Sequence, residues 1–177
     1  MGQLFQELTE RHIEFIQAQP LYFVATAPKN GRINLSPKGL DSLRVLDNNR
    51  IIWMNLTGSA NETAAHLLED SRMTIMFCSF SQKPLILRCY GSATTIHPDQ
   101  DRWSEIASNF PDSVGSRQVI DLNIDLIHTS CGFGVPRMEL LGERTLLEEW
   151  IDKKGSDGIH AYWEEKNSLS LDGKPTR

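Results

Sequence analysis

Cysteine is scarce in this chain: three in 177 residues, Cys78, Cys89 and Cys131. They are odd in number and widely spaced, which excludes a disulfide framework and a zinc spacing, and a reducing cytoplasm is the compartment expected. Basic excess is missing too. Eighteen Lys and Arg against 23 Asp and Glu leave a formal net charge of −5. Duplex binding leaves a basic footprint, so no nucleic-acid partner is expected. No apolar run approaches the about 20 residues of a membrane-spanning helix. The N-terminal MGQLFQELTERHIEF has no basic segment ahead of an apolar core, so no secretory leader is expected. No Gly-rich dinucleotide fingerprint is present, and the five histidines are scattered without metal-ligand spacing.

What remains is an ordinary globular composition, with 40% apolar and 23% charged residues. The length suits one domain. Residues 1–140 read as a barrel-forming unit that includes an N-terminal helix, and 141–177 as a helical extension packed on it. Leu4, Phe5, Leu8, Phe15 and Ile16 have helical spacing over 3–18, and Pro20 ends that run. LYFVATA (21–27) and RINLS (32–36) read as strands of a hairpin turning at PKNG. LRVLD (43–47) and RIIWMN (50–55) form a second hairpin through Asn48-Asn49, residues that tolerate positive φ. A helix is expected over 61–69, and long strands over 72–80 and 85–97. Pro98 opens a helix to about Asn109. QVIDLNIDLIHTS (118–130) alternates at Ile120, Leu122, Ile124, Leu126 and His128, giving a strand with one buried face. Helices over 142–155 and 157–166 and a turn-rich tail complete the chain. Six or seven strands joined by short turns imply a mainly β fold, an antiparallel barrel with flanking helices.

GSANETAAH, from Gly58 to His66, carries the chemistry. Ser59 and Glu62 have capping-box spacing, with Asn61 as an alternative cap. The same strand-to-helix corner offers unpaired amides and a helix dipole to a phosphate. Asn61 and Thr63 add donors, whereas the Glu62 carboxylate opposes an anion unless it turns away. Lys38, Arg44 and Arg88 are the candidate neighbouring cations. The glycines around Cys131 in SCGFGVP favour a turn over a nucleophile. The aromatics of the late helices read mainly as packing.

INLSPKG, RVLD, IIWMN, GSANETAAHL, RMTIMFCSF and PLILRCYGSA, in this order over about Tyr22–His97, resemble the pyridoxamine 5′-phosphate oxidase-related family of split-barrel flavin-binding proteins. SCGFGVP and YWEEKNSLSLDG resemble one subgroup of that family. The resemblance implies a homodimer of six-stranded antiparallel split β-barrels, with FMN in a groove between subunits and a small-molecule substrate. By position it implies that Ser36, Pro37, Lys38 and Gly39 line the flavin, with Trp53 and Met54 on the next strand. Asn61, Glu62 and Thr63 fall at the phosphate corner, Arg88 on the strand completing the pocket, and Lys166 and Asn167 toward the partner's flavin. Two departures stand out. Glu62 and Thr63 occupy the places of an Arg-Lys pair in true pyridoxamine phosphate oxidases, and the Trp- and Arg-rich C-terminal segment that grips their substrate is missing. The resemblance implies an FMN-dependent oxidoreductase with no assignable catalytic residue. A non-enzymatic binding module with weak or no flavin, and a haem- or deazaflavin-using relative, stay open as alternatives.

Overall fold

The computed structural model describes residues 2–177, so Met1, the first residue of the expected barrel segment, lies outside the described residues. The strands are β1 Gln3–Phe5, β2 Tyr22–Thr26, β3 Asn34–Lys38, β4 Leu43–Asp47, β5 Arg50–Leu56, β6 Arg72–Cys78, β7 Ile86–Ile96 and β8 Ser116–Ser130. The helices are α1 Glu10–Gln17, α2 Glu62–Glu69, α3 Trp103–Ala107 and α4 Leu146–Lys166. The strands join in one antiparallel sheet of order β3-β2-β6-β7-β8-β5-β4, and β1 adds to β8. That makes eight strands among the described residues, where six or seven were expected; the extra one is β1.

The sheet curls on itself. Tyr22 on β2 and Trp53 on β5 are separated by three intervening strands, yet their rings meet edge-on at 6.5 Å. Phe77 on β6 closes on Tyr22 at 5.9 Å, and the Tyr22 hydroxyl lies 2.9 Å from Ser42 Oγ. Around these rings pack Val24, Ile51, Ile75, Leu87, Cys89 and Leu122, all buried. β5 is buried on both faces. Trp53 points into the barrel, while Ile52 and Met54 pack outward beneath Ile106 and Phe110 of the α3 segment. Full burial of side chains of this size stabilises a fold by about 1.5–3 kcal/mol each.

Four expectations are corrected. The helix expected over 3–18 begins at Glu10, after Thr9 caps it by accepting from His12 N–H, and the residues before it pair with β8 as β1. The Asn48-Asn49 turn forms, but neither residue takes positive φ. A bulge between Val45 and Asp47 absorbs the twist instead, and Asp47 Oδ1 accepts from Asn49 N–H at 2.7 Å. The alternation of β8 breaks after Ile124, because Asp125 is an extra residue opposite Tyr90 and Gly91. Ile127 and Thr129 therefore face inward, and Leu126 and His128 stay half-exposed. The helix expected from Pro98 is only Trp103–Ala107, preceded by turns. The two C-terminal helices expected over 142–155 and 157–166 are present within α4, separated at Gly155, whose φ of 63° and ψ of 175° are not helical.

Candidate functional site

The corner joins β5 to α2. A bulge between Asn55 and Leu56 ends the regular pairing with β8, and Gly58, Ser59 and Ala60 lead into the helix. Ala64 and Ala65 are fully buried, and their small side chains let α2 lie flat across β2 and β7. The capping box expected from Ser59 does not form. The N-cap residue is Asn61, and it makes no side-chain cap hydrogen bond. Its amide is committed elsewhere: Asn61 Oδ1 accepts from Gln118 Nε2 at 2.7 Å. The first-turn amides of α2 are thus left without a side-chain acceptor, at the positive end of the helix dipole.

A cavity of about 180 Å³ opens there. Asn34, Ser36 and Lys38 line it from one face of β3, and Asn55, Asn61, Thr63 and Arg117 from the corner and β8. Asn34 Nδ2 donates to Thr63 Oγ1 at 3.2 Å, tying β3 to the helix start.

Arg117 is the central cation. Its residue exposure is 6%. Nη1 donates to Asn167 Oδ1 at 2.6 Å and to the Ala60 carbonyl at 3.1 Å, and buried Nε has no partner. Among the described residues no carboxylate pairs with it. Burial pulls its guanidinium down to about 10, opposed only by Tyr162. Lys38 sits with its ammonium 5.2 Å from the centroid of the Trp53 ring. Burial first, and then the positive charge of Arg117, bring Lys38 down to about 8. A buried guanidinium whose charge also depresses the neighbouring Lys38, beside uncapped helix amides, gives the corner the chemistry to take an anion.

Glu62 does not occupy that place. Its Oε1 accepts from Leu171 N–H of the C-terminal tail at 3.0 Å, and its Oε2 lies 3.9 Å from buried His66 Nε2. His66 Nδ1 is 3.0 Å from Thr26 Oγ1.

The other expected site residues divide. Ser36, Lys38, Asn61, Glu62 and Thr63 come together at the corner. Pro37 is on the opposite face of β3, and Gly39 follows the strand end. Trp53 meets the site only through the Lys38 ammonium, and Met54 lies on the far side of β5, against Phe110. Arg88 stands on the outer face of β7, donates to Ser130 Oγ at 3.2 Å, and does not line the corner. Lys166 is exposed and pairs with Glu165. Asn167 is buried in its own chain's corner, holding Arg117 and donating to the Gly58 carbonyl at 3.1 Å. Sequence reading missed Arg117, because the alternating run starts at the next residue. The available signal was an arginine directly ahead of the alternating apolar run that makes up the rest of β8.

The model of the pyridoxamine 5′-phosphate oxidase family matches residues 8–131, well over half of the chain. The chain belongs to the pyridoxamine 5′-phosphate oxidase family. It is 35% identical over 191 residues to the pyridoxamine 5′-phosphate oxidase family protein ustO of Aspergillus flavus, covering 97% of this chain and 76% of that protein. Among solved structures it resembles HupZ of Group A Streptococcus, with 20% identity and a TM-score of 0.54 over 67% of this chain and 91% of that one. It also resembles a protein from Lactobacillus delbrueckii described as a putative pyridoxamine 5′-phosphate oxidase, with 21% identity and a TM-score of 0.55 over 70% and 94%. At these identities the two structures establish the fold, the split β-barrel of the pyridoxamine 5′-phosphate oxidase family.

Proposed function

We propose that the corner seats the phosphate of FMN and that the chain is a flavin-dependent oxidoreductase acting on a small molecule. The observation that carries this reading is Arg117: a buried guanidinium with an unpartnered Nε and no carboxylate. Keeping such a charge unpaired is costly, and an anionic ligand relieves the cost. The fit to a phosphate monoester rests on this chain's own groups. Arg117 and Lys38 supply charge, Ser36 and Thr63 supply hydroxyls, and the start of α2 supplies amides. In this reading Arg117 and Lys38, on different strands, supply the charge that an Arg-Lys pair supplies in true pyridoxamine phosphate oxidases, and Glu62 is turned onto the tail.

When bound, a flavin supplies hydride and one-electron transfer chemistry. The protein's part is binding and orientation. β3 presents Ser36 and Lys38 toward the ligand from one edge of the sheet, and the Lys38–Trp53 contact fixes where the ammonium rests. Partnering with a second copy belongs to the same reading. The 131–145 segment is irregular and carries Phe133 at 81% and Leu141 at 93% exposure, a surface suited to burial against another subunit.

The test is the visible spectrum of the purified protein followed by an FMN titration. Flavin absorbance, or saturable binding of added FMN, supports the proposal. A colourless protein that binds neither FMN nor inorganic phosphate defeats it and favours a non-enzymatic module. A Soret band or a deazaflavin spectrum would replace FMN with another cofactor.

A further inference from the structure

The tail after α4 is not a loose end. Residues 167–177 fold back as a tight hairpin, with a bridge between Leu169 and Pro175 and with Ser170 N–H donating to the Lys174 carbonyl at 2.8 Å. Thr176 Oγ1 donates to the Asn167 carbonyl at 2.6 Å. The hairpin is pinned at two further points. Asp172 pairs with the Arg32 guanidinium and accepts from Arg32 N–H at 2.7 Å. Lys174 Nζ meets Glu69 Oε1 at 2.5 Å. Gly31 is built for this contact: its φ is +136°, and a Cβ there would run into the Asp172 carboxylate.

Two strands of this arrangement reach the anion site. Asn167, at the root of the hairpin, holds Arg117. Leu171 N–H, at its tip, holds the Glu62 carboxylate. Glu62 is the first residue of α2, next to the uncapped amides and in the lining of the corner. Nothing covalent prevents its carboxylate from rotating onto those amides or toward Arg117. There it would serve as an internal anion, which the helix start and the two cations both favour.

We propose that the C-terminal hairpin controls anion binding by holding Glu62 off the corner, and that a released Glu62 competes with the ligand phosphate. This rests on the corner being an anion site. Docked hairpin and bound phosphate favour one another, because each removes Glu62 from the same place, and such coupling is reciprocal. Glu62 is therefore a positioning residue whose charge matters only when the hairpin is loose.

A double-mutant cycle tests this with FMN and with inorganic phosphate as probes. The D172N/K174Q chain loosens both ionic pins, and its FMN affinity is expected to fall about tenfold, within the usual range of coupling between sites. Adding Glu62→Gln to that background should restore affinity to within about threefold of wild type, a near-complete return on the same coupling scale. A gain from Glu62→Gln that is equal in the docked and loosened backgrounds would overturn the proposal, as would an unchanged affinity in D172N/K174Q. Hydrogen exchange of the wild-type chain needs no variant: phosphate should slow exchange of the Leu171 amide, and unaltered exchange at saturating phosphate counts against the coupling. If the wild-type chain binds neither FMN nor phosphate, the anion site itself falls and this inference with it. An additive cycle on a chain that does bind removes this inference alone.

Discussion

Arg117 concentrates the chemistry of the corner in one side chain. Replacing it with Met keeps much of its volume and removes its charge and donors. Charge-assisted hydrogen bonds contribute about 1.5–3 kcal/mol each, so Arg117→Met should raise the FMN dissociation constant about ten- to 150-fold. Arg88→Met should leave it within about twofold, since that change is below the value of one net hydrogen bond, Arg88 being on another face with Ser130. Fluorescence titration of the two variants separates these sites, and equal losses would remove Arg117 from its role. Lys38 gives a pH signature. Its amine is held down near 8 in the free protein, so it is charged below that pH and neutral above it. A phosphate ligand favours the charged form, so affinity should be steady below pH 8 and decline above it, and binding at pH 8–9 should take up a proton. In the folding equilibrium the same shift works in reverse. The depressed amine costs the apo fold stability below pH 8, and that cost fades between about 8 and the ordinary lysine value of 10.5. Calorimetry in buffers of different ionisation enthalpy reads the proton uptake, and Lys38→Met should abolish it.

At the level of elements, the β7–β8 pairing depends on a bulge. Asp125 is the extra residue on β8, and Gly91 on β7 lies so close to Asn123 that an added Cβ would overlap the Asn123 carbonyl oxygen. Backbone cannot retreat as a flexible side chain can. Gly91→Ala should therefore destabilise the protein by about 1–3 kcal/mol, the usual cost of overpacking, measured as a lower urea midpoint with an unchanged slope. This bulge also marks the limit of sequence reading. Apolar runs bounded by turn signals located every strand from β2 to β8, and alternation marked β8, where one face is buried and the side-chain period is two. It could not reveal that an inserted residue shifts the phase after Ile124, since Leu126 and His128 continue the pattern on paper. Leu4 and Phe5 fitted a helical stripe equally well, and only pairing with distant β8 makes them a strand. At the site, α2 and Lys38 were legible from local motif and spacing. Arg117, its bond to Asn167 and the Leu171–Glu62 contact were not, because each contact joins parts of the chain 50 or more residues apart; Asn167 itself was named only through the resemblance.

For the molecule as a whole, the open question is what covers its apolar surface. Phe133, Met138, Leu140 and Leu141 are all exposed on one irregular segment between β8 and α4. The backbone there is tied to the barrel by few bonds, such as Met138 N–H to the Phe80 carbonyl at 3.0 Å. Monomeric proteins seldom expose a contiguous apolar patch beyond a few hundred Å² without a partner for it. A symmetric pair of chains would bury two copies of the segment at once, each self-complementary to the other. The expected solution mass is accordingly twice the 20.0 kDa of one chain. Introducing F133D and L141D together should shift that mass to the single-chain value in light scattering, because four carboxylates, two from each chain, would have to be desolvated in the interface. Neither residue contacts the corner, so inorganic phosphate should still bind the separated chains through Arg117 and Lys38. FMN affinity reports something further: a loss confined to FMN would mean that the ring, unlike the phosphate, needs the second subunit. A pair that persists in the doubly substituted chain would remove the 131–145 segment from the interface.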